Sequence, residues 1–147
     1  MLIVLEGIDG AGKSTQANIL AKSLRKSGKT VAVFKFPQYH QFFGRTVKKF
    51  LKGELGPVSS TNPYLISTLY ALNRFENRTK LLSLLKKNDI VLLQRYVTAN
   101  LLYQSIHERR NEKRKELCRW IERMEYAVFG MPKPNAVIYL DLPAHLA

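Results

Sequence analysis

Four apolar runs recur along the chain, at Leu2 to Leu5, Thr30 to Phe36, Asp89 to Leu93 and Ala136 to Leu140. Leu2 to Leu5 and Ile90 to Leu93 are unbroken rather than alternating, the pattern of strands covered on both faces. Thr30 to Phe36 is rich in β-branched and aromatic residues and stops at Pro37, which has no N–H to give a ladder. Between these runs the period changes to that of a helix. Ala17, Leu20, Ala21 and Leu24 fall at i, i+3, i+4 and i+7, predicting a helix that starts near Lys13 and ends at a left-handed Gly28. Thr46 to Leu51 predicts a short helix, and Gly53, Gly56 and Pro57 a loop. Asn62 as N-cap with Pro63 at the first helical position opens a long helix. Leu65, Leu69, Leu72, Phe75, Leu82 and Leu85 keep its spacing as far as Lys87. Two further helices divide near Arg110-Asn111. The second places Leu117, Trp120, Ile121, Met124 and Val128 on one face.

Strands alternating with helices predict an α/β fold, a doubly wound parallel sheet of the P-loop NTPase type with helices on both faces. The length suits a single domain over residues 1–147. No apolar run is long enough to cross a bilayer, and Glu6 with the following glycines interrupts any signal-peptide core. The single cysteine, Cys118, leaves no internal disulfide and fits a reduced, cytoplasmic setting. The net charge of +13 points to an anionic partner. Its basic clusters, such as Lys113-Arg114-Lys115, read first as solvated helix faces, so a small phosphorylated ligand is expected rather than nucleic acid.

The chemistry starts at Gly7-Ile8-Asp9-Gly10-Ala11-Gly12-Lys13-Ser14, with Thr15 following. This is a complete G-x-x-x-x-G-K-[ST] motif with a strand before it and a helix after it. Gly7, Gly10 and Gly12 let backbone N–H groups turn inward onto phosphate oxygens, and the helix adds its own free N–H groups. Lys13 supplies a mobile positive charge, and the Ser14 hydroxyl is a ligand for Mg²⁺. The motif implies a bound nucleoside triphosphate and leaves the reaction open. In open α/β sheets ligands sit beyond the C-terminal strand ends. Arg95 follows the third strand at that edge, where a guanidinium can grip a phosphate bidentately. Tyr70 and Arg74, four residues apart, share a helix face and could form a platform for a base.

Taken together, Leu5 to Gln16, Phe36-Pro37, Tyr70 to Glu76, Arg95 to Asn100 with Tyr103-Gln104, and Pro132-Lys133-Pro134 before Tyr139 to Pro143 resemble the thymidylate kinases, which phosphorylate dTMP with ATP. The resemblance covers essentially the whole chain. It implies a nucleoside monophosphate kinase, Mg²⁺ carried with ATP, and a homodimer. It implies that Gly7, Ile8, Asp9, Gly10, Ala11, Gly12, Lys13, Ser14 and Thr15 bind ATP. It assigns catalysis to Lys13, Asp9 and Arg95. On the dTMP side, Tyr70 would stack on thymine and Arg74 would hydrogen-bond it. Asn100 and Gln104 would line the base pocket, Phe36 would wall it, Arg95 would hold the phosphate, and Asp9 would lie near the sugar. Gln94 stands where the family usually has Asp, and Gly10 where some members have an arginine. The chain stops before the family's basic lid, fifth strand and adenine loop, so a C-terminally truncated kinase domain with weak catalysis is expected. A P-loop module that binds nucleotide without turnover, its +13 charge giving affinity for nucleic acid, is the alternative.

Overall fold

The apolar runs form strands β1 (Leu2–Glu6), β2 (Val31–Lys35), β3 (Ile90–Gln94) and β4 (Ala136–Tyr139). The helices are α1 (Lys13–Lys26), α2 (Phe42–Leu51), α3 (Pro63–Glu76), α4 (Arg78–Lys87), α5 (Val97–Ser105) and α6 (Asn111–Glu122), the last continued by a π-helical stretch, Arg123–Val128. The structure, a computed structural model, describes residues 1–57, 61–106, 108–143 and 145. The chain divides into two compact units. Met1–Phe36, Thr79–Tyr96 and Pro132–Ala147 form the first, and Pro37–Arg78 with Val97–Met131 the second.

In the first unit the strands pair in parallel in the order β2-β3-β1-β4. The two unbroken apolar runs are therefore interior, as their sequence predicts, and Leu2, Val4, Leu5, Val91, Leu92 and Leu93 are buried. The α1 face predicted from periodicity packs here: Ala17 and Ala21 are buried against Leu5, Val31, Ile90 and Leu92, flanked by Leu20 and Leu24. Phe34 has the opposite pleat parity to Val31 and lies under α4, whose Lys80 Nζ sits 5.1 Å from its ring centroid. Helices thus cover both faces. At the N-terminal end of β3, the Asp89 carboxylate accepts the Thr30 N–H and hydroxyl, each at 2.8 Å.

The second unit is helical, and here the elements depart from the sequence expectation. The long helix is two helices, because it breaks at Asn77, whose side-chain amide donates to the Asn73 carbonyl at 2.8 Å. Its start is as read: the Asn62 side chain accepts the Tyr64 N–H at 2.9 Å. The buried face of α3 carries Ile66, Ser67, Ala71, Asn73 and Arg74, while Leu65 and Phe75 are exposed. α2 begins four residues before the expected Thr46. Its free N-terminal N–H groups at Phe42 and Phe43 donate to the Glu76 carboxylate, the closest at 2.8 Å, a cap supplied from a distant part of the chain. Val128 does not share the face of Leu117, Ile121 and Met124: the wider π-helical turn rotates it outward, where it is 69% exposed, and leaves Glu125 fully buried.

Gly44 lies inside α2, and a Cβ there would overlap the Gln38 carbonyl. Alanine normally improves a helix over glycine by about 1 kcal/mol, but forcing atoms into a filled space costs about 1–3 kcal/mol. Gly44→Ala is therefore expected to destabilise the protein in denaturant unfolding; a stabilised variant would show that the Gln38 turn gives way. A second expectation concerns Asp89, whose pKa is lowered chiefly by the Thr30 backbone hydrogen bond and then by the Thr30 hydroxyl. A depressed native pKa means that the unfolded chain binds the proton more tightly. The contribution is therefore complete above the ordinary carboxylate range and lost as pH falls through it. Unfolding midpoints of wild type and Asp89→Asn should differ near neutrality and converge on acidification.

Candidate active site

The phosphate loop links β1 to α1. Gly7 has φ +146°, and a Cβ on it would stand 2.8 Å from the Leu140 carbonyl oxygen, so only glycine lets the loop leave β1 this close to the end of β4. Gly10 and Gly12 also have positive φ, and Gly12, the N-cap of α1, is left-handed with no side-chain cap. The N–H groups of the first turn are thus kept clear of local side chains, and no acidic residue sits in that turn to oppose an anion. Lys13 folds back over the loop, donating to the carbonyls of Gly7 at 2.9 Å and Ile8 at 2.5 Å. Its pKa is lowered, first by partial burial and next by the Arg95 charge.

Arg95 has φ +63°, the one left-handed non-glycine residue among those described. Such a conformation costs an L-residue about 1–2 kcal/mol and persists only when neighbours impose it. Two bonds from β1 do so. The Arg95 N–H donates to Leu5 at 3.0 Å, and the Tyr96 N–H donates to the buried Glu6 carboxylate at 2.9 Å. The Arg95 guanidinium meets Asp9 at 2.6 Å, and Asp9 Oδ1 is also 4.0 Å from Lys13. The Ser14 hydroxyl donates to the Gln94 amide oxygen at 2.6 Å. The first unit therefore brings together Gly7 through Thr15 with Asp9, Lys13, Ser14 and Arg95. Phe36, expected beside a ligand, is buried, edge-on to Phe34 and tilted against Tyr96, with centroids 5.2 and 6.1 Å away.

The other expected residues lie in the second unit. Tyr70 is half-buried, and Arg74, Asn100 and Gln104 are buried. Arg74 Nε donates to both carboxylate oxygens of Glu125, at 2.9 and 3.0 Å, and its Nη2 forms an ion pair with the same carboxylate. Asn100 Nδ2 donates to the Ser67 carbonyl at 3.0 Å and reaches Glu125 at 3.4 Å. Asn100 Oδ1 is buried with no partner among the described residues, and no described hydrogen bond uses Arg74 Nη1. Glu125 was not among the residues the sequence singled out. A clue to Glu125 was present: it falls four residues after Ile121 and eight after Leu117, an acid on an apolar stripe that requires a partner.

A strand, a glycine loop with lysine and serine, and a helix on a parallel sheet define a P-loop nucleotide-binding protein. Residues 5–147 match the family model described as thymidylate kinase, and the chain belongs to that family. It is 36% identical over its whole length to thymidylate kinase of Mycobacterium tuberculosis H37Rv, spanning 68% of that protein. It is also 36% identical to the enzyme of Coprothermobacter proteolyticus, spanning 69% of it. Among solved structures, thymidylate kinase of Candida albicans matches with a TM-score of 0.74 at 24% identity, covering 98% of this chain and 64% of that one. At this identity the structural match speaks for the fold.

The strain at Arg95 gives a stability expectation separate from any ligand. Arg95→Gly removes a left-handed penalty of about 1–2 kcal/mol and loses an exposed ion pair worth about 0–1 kcal/mol. Because glycine also loses more freedom on folding, the variant should unfold within about 1 kcal/mol of wild type. A much larger loss in chemical denaturation would mean that Arg95 packs structurally rather than being held for a ligand.

Proposed function

We propose that this chain transfers the γ-phosphoryl group of ATP to dTMP, giving ADP and dTDP. The observation that carries the proposal is Arg95, pinned in a left-handed turn beside the phosphate loop, where its guanidinium meets Asp9. A module that only holds a nucleotide needs one anion seat, whereas a kinase acting on a monophosphate needs a second. In the proposed reaction a phosphate oxygen of dTMP attacks the γ-phosphorus, and the bond to the β,γ-bridging oxygen breaks. Gly7, Ile8, Asp9, Gly10, Ala11, Gly12, Lys13, Ser14 and Thr15 hold ATP, and Lys13 neutralises charge on the group in transfer. Arg95 holds the acceptor phosphate and Asp9 lies toward the sugar. Arg74 Nη1 supplies a donor and Asn100 Oδ1 an acceptor, the complement of a carbonyl and ring N–H on thymine, with Tyr70, Gln104 and Phe36 completing the acceptor set.

Mg²⁺ enters with ATP as part of the substrate in this proposal. The described residues hold no cluster of three His, Cys, Asp or Glu side chains. The neutral Ser14 and Gln94 pair suits an ion that brings its own phosphate and water ligands. A cytoplasmic homodimer belongs to the same reading. Family membership supports it, as do the single cysteine and the exposed apolar side chains Leu65, Phe75 and Val128. No described helix is long and apolar enough to cross a membrane.

A coupled assay should detect ADP formation that depends on dTMP, above the ATP-only background; nucleotide binding without it would favour a non-catalytic module. In calorimetry, Arg95→Ala should weaken dTMP by about 2 kcal/mol, the value of one charge-assisted contact, while ATP affinity changes little. Equal dTMP affinity in variant and wild type would remove Arg95 from the acceptor site.

A further inference from the structure

We infer that Glu125 is a positioning residue for base recognition, which sets the direction of the Arg74 and Asn100 hydrogen bonds and thereby discriminates among acceptor bases. The inference rests on the reading above that Arg74 and Asn100 meet the base. Glu125 is 0% exposed and Arg74 3%. A free carboxylate is not left in such a place without strong compensation, because an unpaired buried charge is costly. Both oxygens of Glu125 are engaged by Arg74, and Asn100 Nδ2 reaches Oε1 as well.

Two consequences follow from that geometry. First, Arg74 is turned so that Nε and Nη2 face the acid, leaving Nη1 as the available donor. Second, an amide can present either its oxygen or its nitrogen at a given point. With Nδ2 drawn to Glu125 and the Ser67 carbonyl, Asn100 is committed to presenting Oδ1. One carboxylate therefore fixes a donor and an acceptor together. Thymine offers a carbonyl and an N–H to that pair, whereas cytosine offers an amino group and a bare ring nitrogen and mismatches both. The rejection of the wrong base by unpaired polar atoms is the stronger form of discrimination available to a binding site.

Glu125, four residues after Ile121 and eight after Leu117, continues the buried face of α6, and the π-helical stretch Arg123–Val128 keeps it there while turning Val128 outward. Such turns frequently occur at functional sites.

The test is calorimetry of dTMP, dCMP and ATP against the full chain with Glu125→Gln and Glu125→Asp, with thermal unfolding of each. Glu125→Gln keeps the shape, removes the charge, and lets the new amide compete for the Asn100 orientation. Glu125→Asp keeps the charge and shortens the reach. Both should weaken dTMP about tenfold, on the order of one impaired charge-assisted hydrogen bond. ATP affinity should hold, and the preference for dTMP over dCMP should narrow. In an Arg74→Gln background, Glu125→Gln should produce a much smaller further loss, because its effect passes through Arg74. A lower melting temperature with dTMP affinity and base preference unchanged in either variant would overturn the inference, as would full additivity with Arg74→Gln. Failure of the wild-type chain to bind dTMP would instead overturn the proposed function.

Discussion

The turn after β3 is held from two sides by β1. Leu5 accepts the Arg95 N–H and Glu6 accepts the Tyr96 N–H, so the end of one interior strand dictates the backbone of the other. The same strand runs on into Gly7, whose contact with Leu140 fixes where the phosphate loop departs. The loop, Lys13 and the Arg95 guanidinium thus share one rigid origin, the β1–β3 pairing from Leu2 against Val91 to Leu5 against Gln94. Placing charged groups on buried strand ends lets apolar packing, rather than long side chains, absorb the entropy of orientation. Glu6 is part of that frame. Although acidic and close to the loop, it is buried and occupied by a backbone N–H, which leaves exposed Asp9 as the acid facing Lys13 and Arg95.

The second unit is built on a different principle. Its interior contains Ser67, Asn73, Arg74, Asn77, Asn100, Gln104 and Glu125 alongside its apolar residues. A buried ion pair such as Arg74–Glu125 is a poor means of gaining stability. Replacing such a pair with packed apolar side chains is often neutral or better, while removing one partner costs about 3–5 kcal/mol. Its presence makes sense where orientation matters more than net stability. Asn73 and Glu76 show the same economy on the neighbouring turns of α3: Asn73 accepts the Gln38 N–H at 2.9 Å, and Glu76 caps α2. One helix therefore fixes the preceding loop and the start of α2, and presents Arg74 to Glu125.

This division explains what the sequence disclosed. The first unit is organised by local signals: unbroken apolar strands, an apolar stripe on α1, and a glycine loop whose chemistry lies in consecutive residues. Its strands, the interior positions of β1 and β3, and the glycine loop between β1 and α1 were readable from pattern and spacing. In the second unit the decisive contacts join distant positions. Glu76 starts α2 from more than thirty residues away in the chain, with partners at Phe42 and Phe43. Asn77 breaks a helix whose leucines kept their spacing through the break. The π-helical turn shifts a face that α-helical periodicity places elsewhere. Leu65 and Phe75 led the apolar pattern of α3 yet are exposed, because the helix turns its polar residues inward. Periodicity locates an apolar stripe, but it has no means of signalling a face buried for the sake of its hydrogen bonds.

The charges around the phosphate loop set a final constraint. Lys13 and Arg95 contribute two cations, and Asp9, which pairs with Arg95 and approaches Lys13, offsets one of them. The buried Glu6 carboxylate, whose charge also acts on Lys13, offsets the other. Gln94, hydrogen-bonded to Ser14, adds a polar oxygen with no charge. A carboxylate in place of Gln94 would add a further negative charge beside Ser14, which the amide avoids. Asp9 is 95% exposed at its side chain, so its hold on Arg95 is screened and weak compared with that of a phosphate dianion. On the proposed function, an acceptor phosphate would displace Asp9 at little cost, with Arg95 already turned toward the loop by its backbone. The strain at Arg95 is sustained by the sheet rather than by the ion pair, so the backbone geometry there does not depend on Asp9.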